Sequence, residues 1–283
     1  MENKPTYKVL TVAGSDPSGG AGIQADIKAI TALGGYAASA ITALTIQNTL
    51  GVTGIFAVPP SVVSEQIATV MEDIAPPSIK IGMVKDATIV RHIAEAIEKY
   101  QPTFIVYDPV MVSTSGHQLI DDDVIETIEK ELIPKVSLIT PNMHEAEVLL
   151  RRKIGSIADM EAAAKELASR YCIHVLIKGG HLEGAGMCDI LASPNGMLSH
   201  FTDLKIETRN LHGTGCTLSS AIATLVAQRL IEGNQILTDE MIVSSIEHAK
   251  KYVTAAIFEG SKRNIGKGNG PLWHQINSKP DRS

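Results

Sequence analysis

Short β-branched runs and longer runs of helical period take turns along this chain. Tyr7 to Ala13 is brief, apolar and β-branched, which predicts a buried strand. It ends in the glycine-rich stretch Gly14-Ser15-Asp16-Pro17-Ser18-Gly19-Gly20-Ala21-Gly22. Ile23, Ile27 and Ile30 then share one helical face, and Gly34-Gly35 is the stop. Ala37 to Ile46 predicts the next strand, leading to Gln47-Asn48-Thr49. Further helices follow from Ser61, from Ile89 to Tyr100, after Asp121-Asp122-Asp123, and from the Ser156/Asp159 pair to Ala168. Strands between them are expected at Ser78–Met83, Phe104–Tyr107, Val136–Ile139 and Ile173–Ile177.

After Lys178-Gly179-Gly180 the rhythm changes. Pro194-Asn195-Gly196 between two strand-like runs predicts a hairpin. Two long helices are expected at roughly 215–230 and 239–258, with an irregular tail from Ser261. Strand–helix alternation implies an α/β fold, mostly parallel, with helices on both faces of one sheet. At 283 residues, one large domain is expected rather than two.

Aromatics make up only 4% of the chain, so Ile, Val, Leu and Ala must build the core. A net charge of −6 and no Lys/Arg cluster speak against nucleic acid as a partner. No apolar stretch reaches the length of a membrane span. Cys172, Cys188 and Cys216 are too scattered for a disulfide framework, which points to a reducing, cytosolic setting.

The polar residues that break the apolar pattern fall just after strands: Asp16, Gln47, Asp108, Asn142 and Lys178. In an open parallel sheet, ligands bind beyond the carboxyl ends of the strands, so these residues should converge on one rim. Asn210-Leu211-His212-Gly213-Thr214-Gly215-Cys216-Thr217 is a small-residue turn running into an apolar helical segment. A helix start gathers unpaired N–H groups and a positive dipole end, which suits a phosphate in transfer. Cys216 falls in the first turn, where a thiol is expected to have a lowered pKa. Asp108, Asn142 and Glu145 carry oxygens suited to Mg²⁺, although Asn142 and Glu145 equally suit the start of a helix. Lys178 offers a point charge to a phosphate. Met83 and Val110 read as core or as pocket wall. Gly20-Ala21-Gly22-Ile23-Gln24-Ala25 matches a dinucleotide fingerprint, but it lies several residues beyond the strand and the next strand ends in Gln47 rather than an acid. There is no P-loop motif either.

Several stretches together resemble the bacterial hydroxymethylpyrimidine/phosphomethylpyrimidine kinases of thiamine synthesis. They are Ala13 to Asp26, Ile41-Thr42-Ala43-Leu44, Gln47-Asn48-Thr49, Lys80-Ile81-Gly82-Met83, Asp108-Pro109-Val110-Met111, Ser115-Gly116, Ile139-Thr140-Pro141-Asn142, Lys178-Gly179-Gly180-His181 and His212 to Thr217, all in order. The resemblance implies a ribokinase-like three-layer α/β/α sandwich and two reactions. The γ-phosphoryl of ATP goes to 4-amino-5-hydroxymethyl-2-methylpyrimidine, and a second one to its monophosphate. By position it implies Gln47, Asp26, Met83 and Val110 at the substrate, with Gly213, Thr214 and Gly215 as anion hole. It implies Lys178 on the ATP phosphates, Asp108, Asn142 and Glu145 around Mg²⁺, and Cys216 where sugar kinases of the fold carry an Asp base. It further implies a cytoplasmic homodimer. A pyridoxine or pyridoxal kinase on the same scaffold is the nearest alternative. A non-catalytic binding protein would be expected to lack the turn or the lysine, and both are present.

Overall fold

The computed structural model describes residues 5–111, 120–180, 187–203, 205–233 and 236–276. Ser115-Gly116 and His181, which contribute to the resemblance, lie outside the described residues. The first half of the chain runs β1 (Lys8–Ser15), α1 (Gly22–Ala32), β2 (Tyr36–Asn48), β3 (Gly51–Ala57), α2 (Pro60–Asp73), β4 (Ser78–Ile81), α3 (Ala87–Tyr100), β5 (Phe104–Tyr107) and α4 (Asp122–Thr127). A widened turn, Ile128–Leu132, and a tight one, Ile133–Lys135, lead to the second half. There follow β6 (Leu138–Ile139), α5 (Met143–Leu150), α6 (Ile157–Tyr171), β7 (His174–Ile177), β8 (Met187–Ala192), β9 (Leu198–Asp203), α7 (Thr214–Glu232) and α8 (Asp239–Ser261).

All described strands join one sheet in the order β3-β2-β1-β4-β5-β6-β7-β8-β9. The strands from β2 to β7 in that order pair in parallel, while β3, β8 and β9 pair antiparallel at the two edges. Alternate strand residues feed two cores. Leu10, Ile79, Ile105 and Val175 point to the layer of α2 to α6, whereas Val9, Phe104, Val106 and Leu176 point to α1, α7 and α8. Central strands buried on both faces read as continuous apolar runs for this reason.

The expected helices and strands form, with two differences. The segment after Asn48 turns back at once to make β3, an edge strand that the loop-like reading of Asn48-Thr49 had no place for. Its pattern is almost wholly exposed, so no apolar face announced it. The tail after Ser261 is irregular as expected, yet it is pinned: Gly268 N–H donates to Thr49 Oγ1 at 3.1 Å and Asn269 N–H to the Thr49 carbonyl at 2.9 Å.

Candidate active site

Two strand exits and a helix start meet beyond the carboxyl edge of the sheet. Asp108 follows β5 and Lys178 follows β7. Lys178 Nζ lies 2.7 Å from Asp108 Oδ1, which also accepts from Thr140 Oγ1 at 2.9 Å. Burial opposes the charge on both groups, but each outweighs it for the other: the Asp108 carboxyl stays below its ordinary value and the Lys178 ammonium above its own. Asn142 and Glu145 start α5 as a reciprocal capping box. Asn142 Oδ1 accepts from Glu145 N–H at 3.0 Å and Glu145 Oε2 from Asn142 N–H at 2.7 Å. Burial raises the Glu145 carboxyl to about 7, with Lys178 pulling the other way and Asp108 adding to the rise.

The glycine turn closes over this pair. Gly213 caps α7 at φ +87, a conformation that favours glycine, and a side chain there would run into the Gly20 carbonyl. Thr214 spends both its N–H and its hydroxyl on the Leu211 carbonyl. The first helical bond runs from Thr217 N–H to the Gly213 carbonyl, at 2.9 Å. The N–H groups of Gly215 and Cys216 therefore have no backbone acceptor among the described residues. A methyl group on Gly215 would stand 3.1 Å from Asp108 Oδ2 and 3.2 Å from Lys178 Nζ. The start of α7, with two amides lacking a backbone acceptor, thus lies against the Lys178–Asp108 pair.

Cys216 sits in that first turn, but its thiol does not follow the expected direction. Desolvation pushes it up to about 11; Lys80 and a hydrogen bond from the Gly22 N–H oppose the rise, while Asp26 and Asp108 add to it. Burial outweighs the helix start, so in the ligand-free protein the thiol is protonated at neutral pH. Asp26 has no exposed surface. Its carboxylate accepts from Thr11 Oγ1 at 2.5 Å, Ser220 Oγ at 2.7 Å, and Lys80 Nζ at 2.9 and 2.8 Å.

Gln47 lies at the end of β2, with its amide 3.1 Å from His212 Nε2. His212 Nε2 also stands 2.8 Å from Asp16 Oδ2. Burial works against charge on Asp16, yet hydrogen bonds from His212, Ser18 and the loop amides hold it well below the carboxylate range. An ionised Asp16 requires the proton on Nε2, and Gln47 then meets that N–H best through its amide oxygen. Met83 packs its methyl beside Gly14, and its carbonyl accepts from Thr42 Oγ1 at 2.8 Å. Val110 is half-buried two residues past Asp108, whose carbonyl accepts its N–H at 2.9 Å.

The fold thus gathers Lys178, Asp108, Glu145, Asn142, Gly215 and Cys216 on one side, and Gln47 with His212 on the other. Gly20 and Gly213 touch between them. Lys80 was not singled out as a site residue, and Asp16, read as one of the rim residues, was not expected to pair with His212. Lys80 had a signal: a lysine between Ile79 and Ile81 inside a buried strand needs a charged partner.

Residues 16–273 match the family described as phosphomethylpyrimidine kinase. The hydroxymethylpyrimidine/phosphomethylpyrimidine kinase of Salmonella typhimurium is 40% identical over 94% of this chain and 96% of its own length. A thiamine biosynthesis bifunctional protein of Geobacter sulfurreducens is 42% identical over 95% of this chain, which spans about half (52%) of that longer protein. The pyridoxal kinase of Staphylococcus aureus, solved with AMP-PCP, superposes with a TM-score of 0.86 at 30% identity, covering 97% of this chain and 96% of that one.

Proposed function

This chain belongs to the phosphomethylpyrimidine kinase family, and we propose that it moves the γ-phosphoryl group of ATP first to the hydroxymethyl group of an aminopyrimidine and then to the resulting monophosphate. One observation carries the reading: Gly215, whose amide like that of Cys216 has no backbone acceptor among the described residues, turns its side-chain-free face to Lys178 and Asp108. Phosphoryl transfer asks mainly for positioning and for neutralised equatorial oxygens. The two amides and Lys178 supply that. A donor aimed at a transition-state oxygen is worth about 10²–10³ in rate.

The acceptor hydroxyl sits at Cys216 in this reading. The thiol orients it, and its thiolate form takes the hydroxyl proton as the oxygen attacks phosphorus. A loose transition state demands little base strength, so a small thiolate fraction is adequate. Gln47 reads the aminopyrimidine edge, exchanging its contact with His212 for ring nitrogens. Met83 and Val110 form the apolar walls.

The donor set fits Mg²⁺. Asp108 Oδ2 accepts no hydrogen bond among the described residues, while Asn142 and Glu145 bond each other's backbone and Glu145 accepts from the Met111 N–H as well. Asp108 would hold the ion, and Asn142 and Glu145 would reach it through water, as suits a cation that keeps its hydration. When bound, the ion neutralises phosphate charge. Pairing with Lys178 keeps Asp108 ionised and ready for it.

The edge hairpin exposes Ile46, Leu50, Val52, Ile55 and Phe56 together. Exposed apolar side chains on an open strand edge support a homodimer through β2 and β3. No helix among the described residues is long and apolar enough to cross a membrane. All three cysteines are free thiols, which fits the cytoplasm.

The test is a product assay with ATP and either the pyrimidine alcohol or its monophosphate. Both should be phosphorylated. Lys178→Ala should lower kcat more than it raises KM for the pyrimidine; a change in that KM alone would move Lys178 off the ATP phosphates. Pyridoxine belongs in the same assay, because the S. aureus neighbour is a pyridoxal kinase on this fold.

A further inference from the structure

The Lys80–Asp26 ion pair is buried completely, with no exposure of either side chain. Such a pair is a weak device for stability: an apolar pair of similar volume usually holds a core as well or better. Its placement suggests another use. Lys80 rises from β4 and Asp26 from α1, and both meet beneath α7. Ser220, which donates to Asp26 Oδ1 at 2.7 Å, stands four residues after Cys216 and so on the same helical face. Gly82 crosses the lysine head closely: a methyl group there would lie 2.8 Å from Nζ. Asp26 takes two bonds from Lys80 and one each from Thr11 and Ser220, so the ammonium is fixed in place.

We propose that Lys80 is a positioning residue of the phosphoryl-transfer site: clamped by Asp26 one helical turn below Cys216, it holds a fixed positive charge on the side of the sulfur away from the substrate. The groups acting on that sulfur are Lys80 from β4, Asp26 and the Gly22 N–H from α1, Asp108 after β5 and Lys178 after β7. Asp26 tempers the lysine. The pair therefore sets how much of Cys216 is thiolate, the form that takes the proton of the attacking hydroxyl.

The inference rests on Cys216 as the partner of the hydroxyl, but its test does not use turnover. Iodoacetamide alkylation of Cys216 is followed against pH, with mass spectrometry separating it from Cys172 and Cys188. Three variants are compared with the parent: Lys80→Met, Asp26→Asn, and the two combined. Asp26→Asn leaves the lysine unopposed and should raise the alkylation rate at neutral pH about tenfold. Lys80→Met leaves the carboxylate alone beneath the thiol and should lower it about tenfold. The double variant removes both charges, keeps acceptors for Thr11 and Ser220, and should fall between the parent and Lys80→Met.

A merely structural pair would give one alkylation profile in every variant that folds, and that result overturns the proposal. Should Lys80→Met fail to fold, Asp26→Asn and the double variant still decide, since they must bracket the parent. If the order holds while Cys216→Ala keeps full kcat, the charge assignment stands and the role of Cys216 falls.

Discussion

Placing a methyl group on Gly215 tests the anion turn with little risk to the fold. Gly215 occupies the second position of α7 in ordinary helical backbone, and alanine is favoured over glycine in a helix by about 0.5–1 kcal/mol. The new carbon stands 3.1 Å from Asp108 Oδ2 and 3.2 Å from Lys178 Nζ, tight contacts that a few tenths of an ångström would relieve. Stability should therefore change by no more than about 1 kcal/mol either way. Activity should not survive as well. The methyl group fills the space where a phosphoryl oxygen must come within about 2.7–3.1 Å of the amides. Losing one such donor costs about 10²–10³ in kcat, and this methyl obstructs two amides and the lysine. A coupled ADP assay and a thermal melt on the same preparation are enough. Gly215→Ala enzyme with a native melt and parental kcat would refute the turn as the anion site. Gly213→Ala is the contrast: its φ of +87 and the Gly20 carbonyl leave no room for a side chain, so it should melt early and says nothing about chemistry.

Three further outcomes are expected. Gln47→Met should cost about 10–10³-fold in kcat/KM on the aminopyrimidine and less on pyridoxine, in steady-state assays, because buried ring nitrogens lose their partners. Glu145 has a folded pKa of about 7 against 4.5 as its ordinary value, so it favours the folded state less as pH rises through that window. Glu145→Gln should therefore gain on the parent between about pH 5 and 8, by on the order of 1–3 kcal/mol in metal-free urea titrations; a constant difference across pH would place the Glu145 pKa near its ordinary value. Phe56→Glu, at a side chain 64% exposed, should turn a dimer into a monomer in light scattering with little loss of stability.

The parallel core was legible because central strands are apolar on both faces and helices repeat every turn. β3 was not, because an edge strand with both faces exposed carries neither signature. The rim residues were legible as a group, since Gln47, Asp108, Asn142 and Lys178 each interrupt an apolar pattern at a strand exit. Their pairings were not. That Thr214 spends its N–H on Leu211, or that Asn142 and Glu145 cap each other, depends on backbone geometry that residue type leaves open. The thiol was misjudged in direction for a related reason. A helix start can be read from spacing, whereas the depth of desolvation around Cys216 depends on how α1, β4 and α7 pack.

The contact of Gly213 with Gly20, the Asp16–His212 pair and the bond from His212 N–H to the Gly270 carbonyl at 3.1 Å join three distant parts of the chain. A ribosome releases these parts in order. While the sheet is being laid down, the loop at residues 16–22 waits without its partner. The turn at 212–216 then arrives without the segment that pins it. A nascent chain therefore lacks this three-way junction until Gly270 has emerged, and one cut before that point carries the turn at 212–216 unpinned.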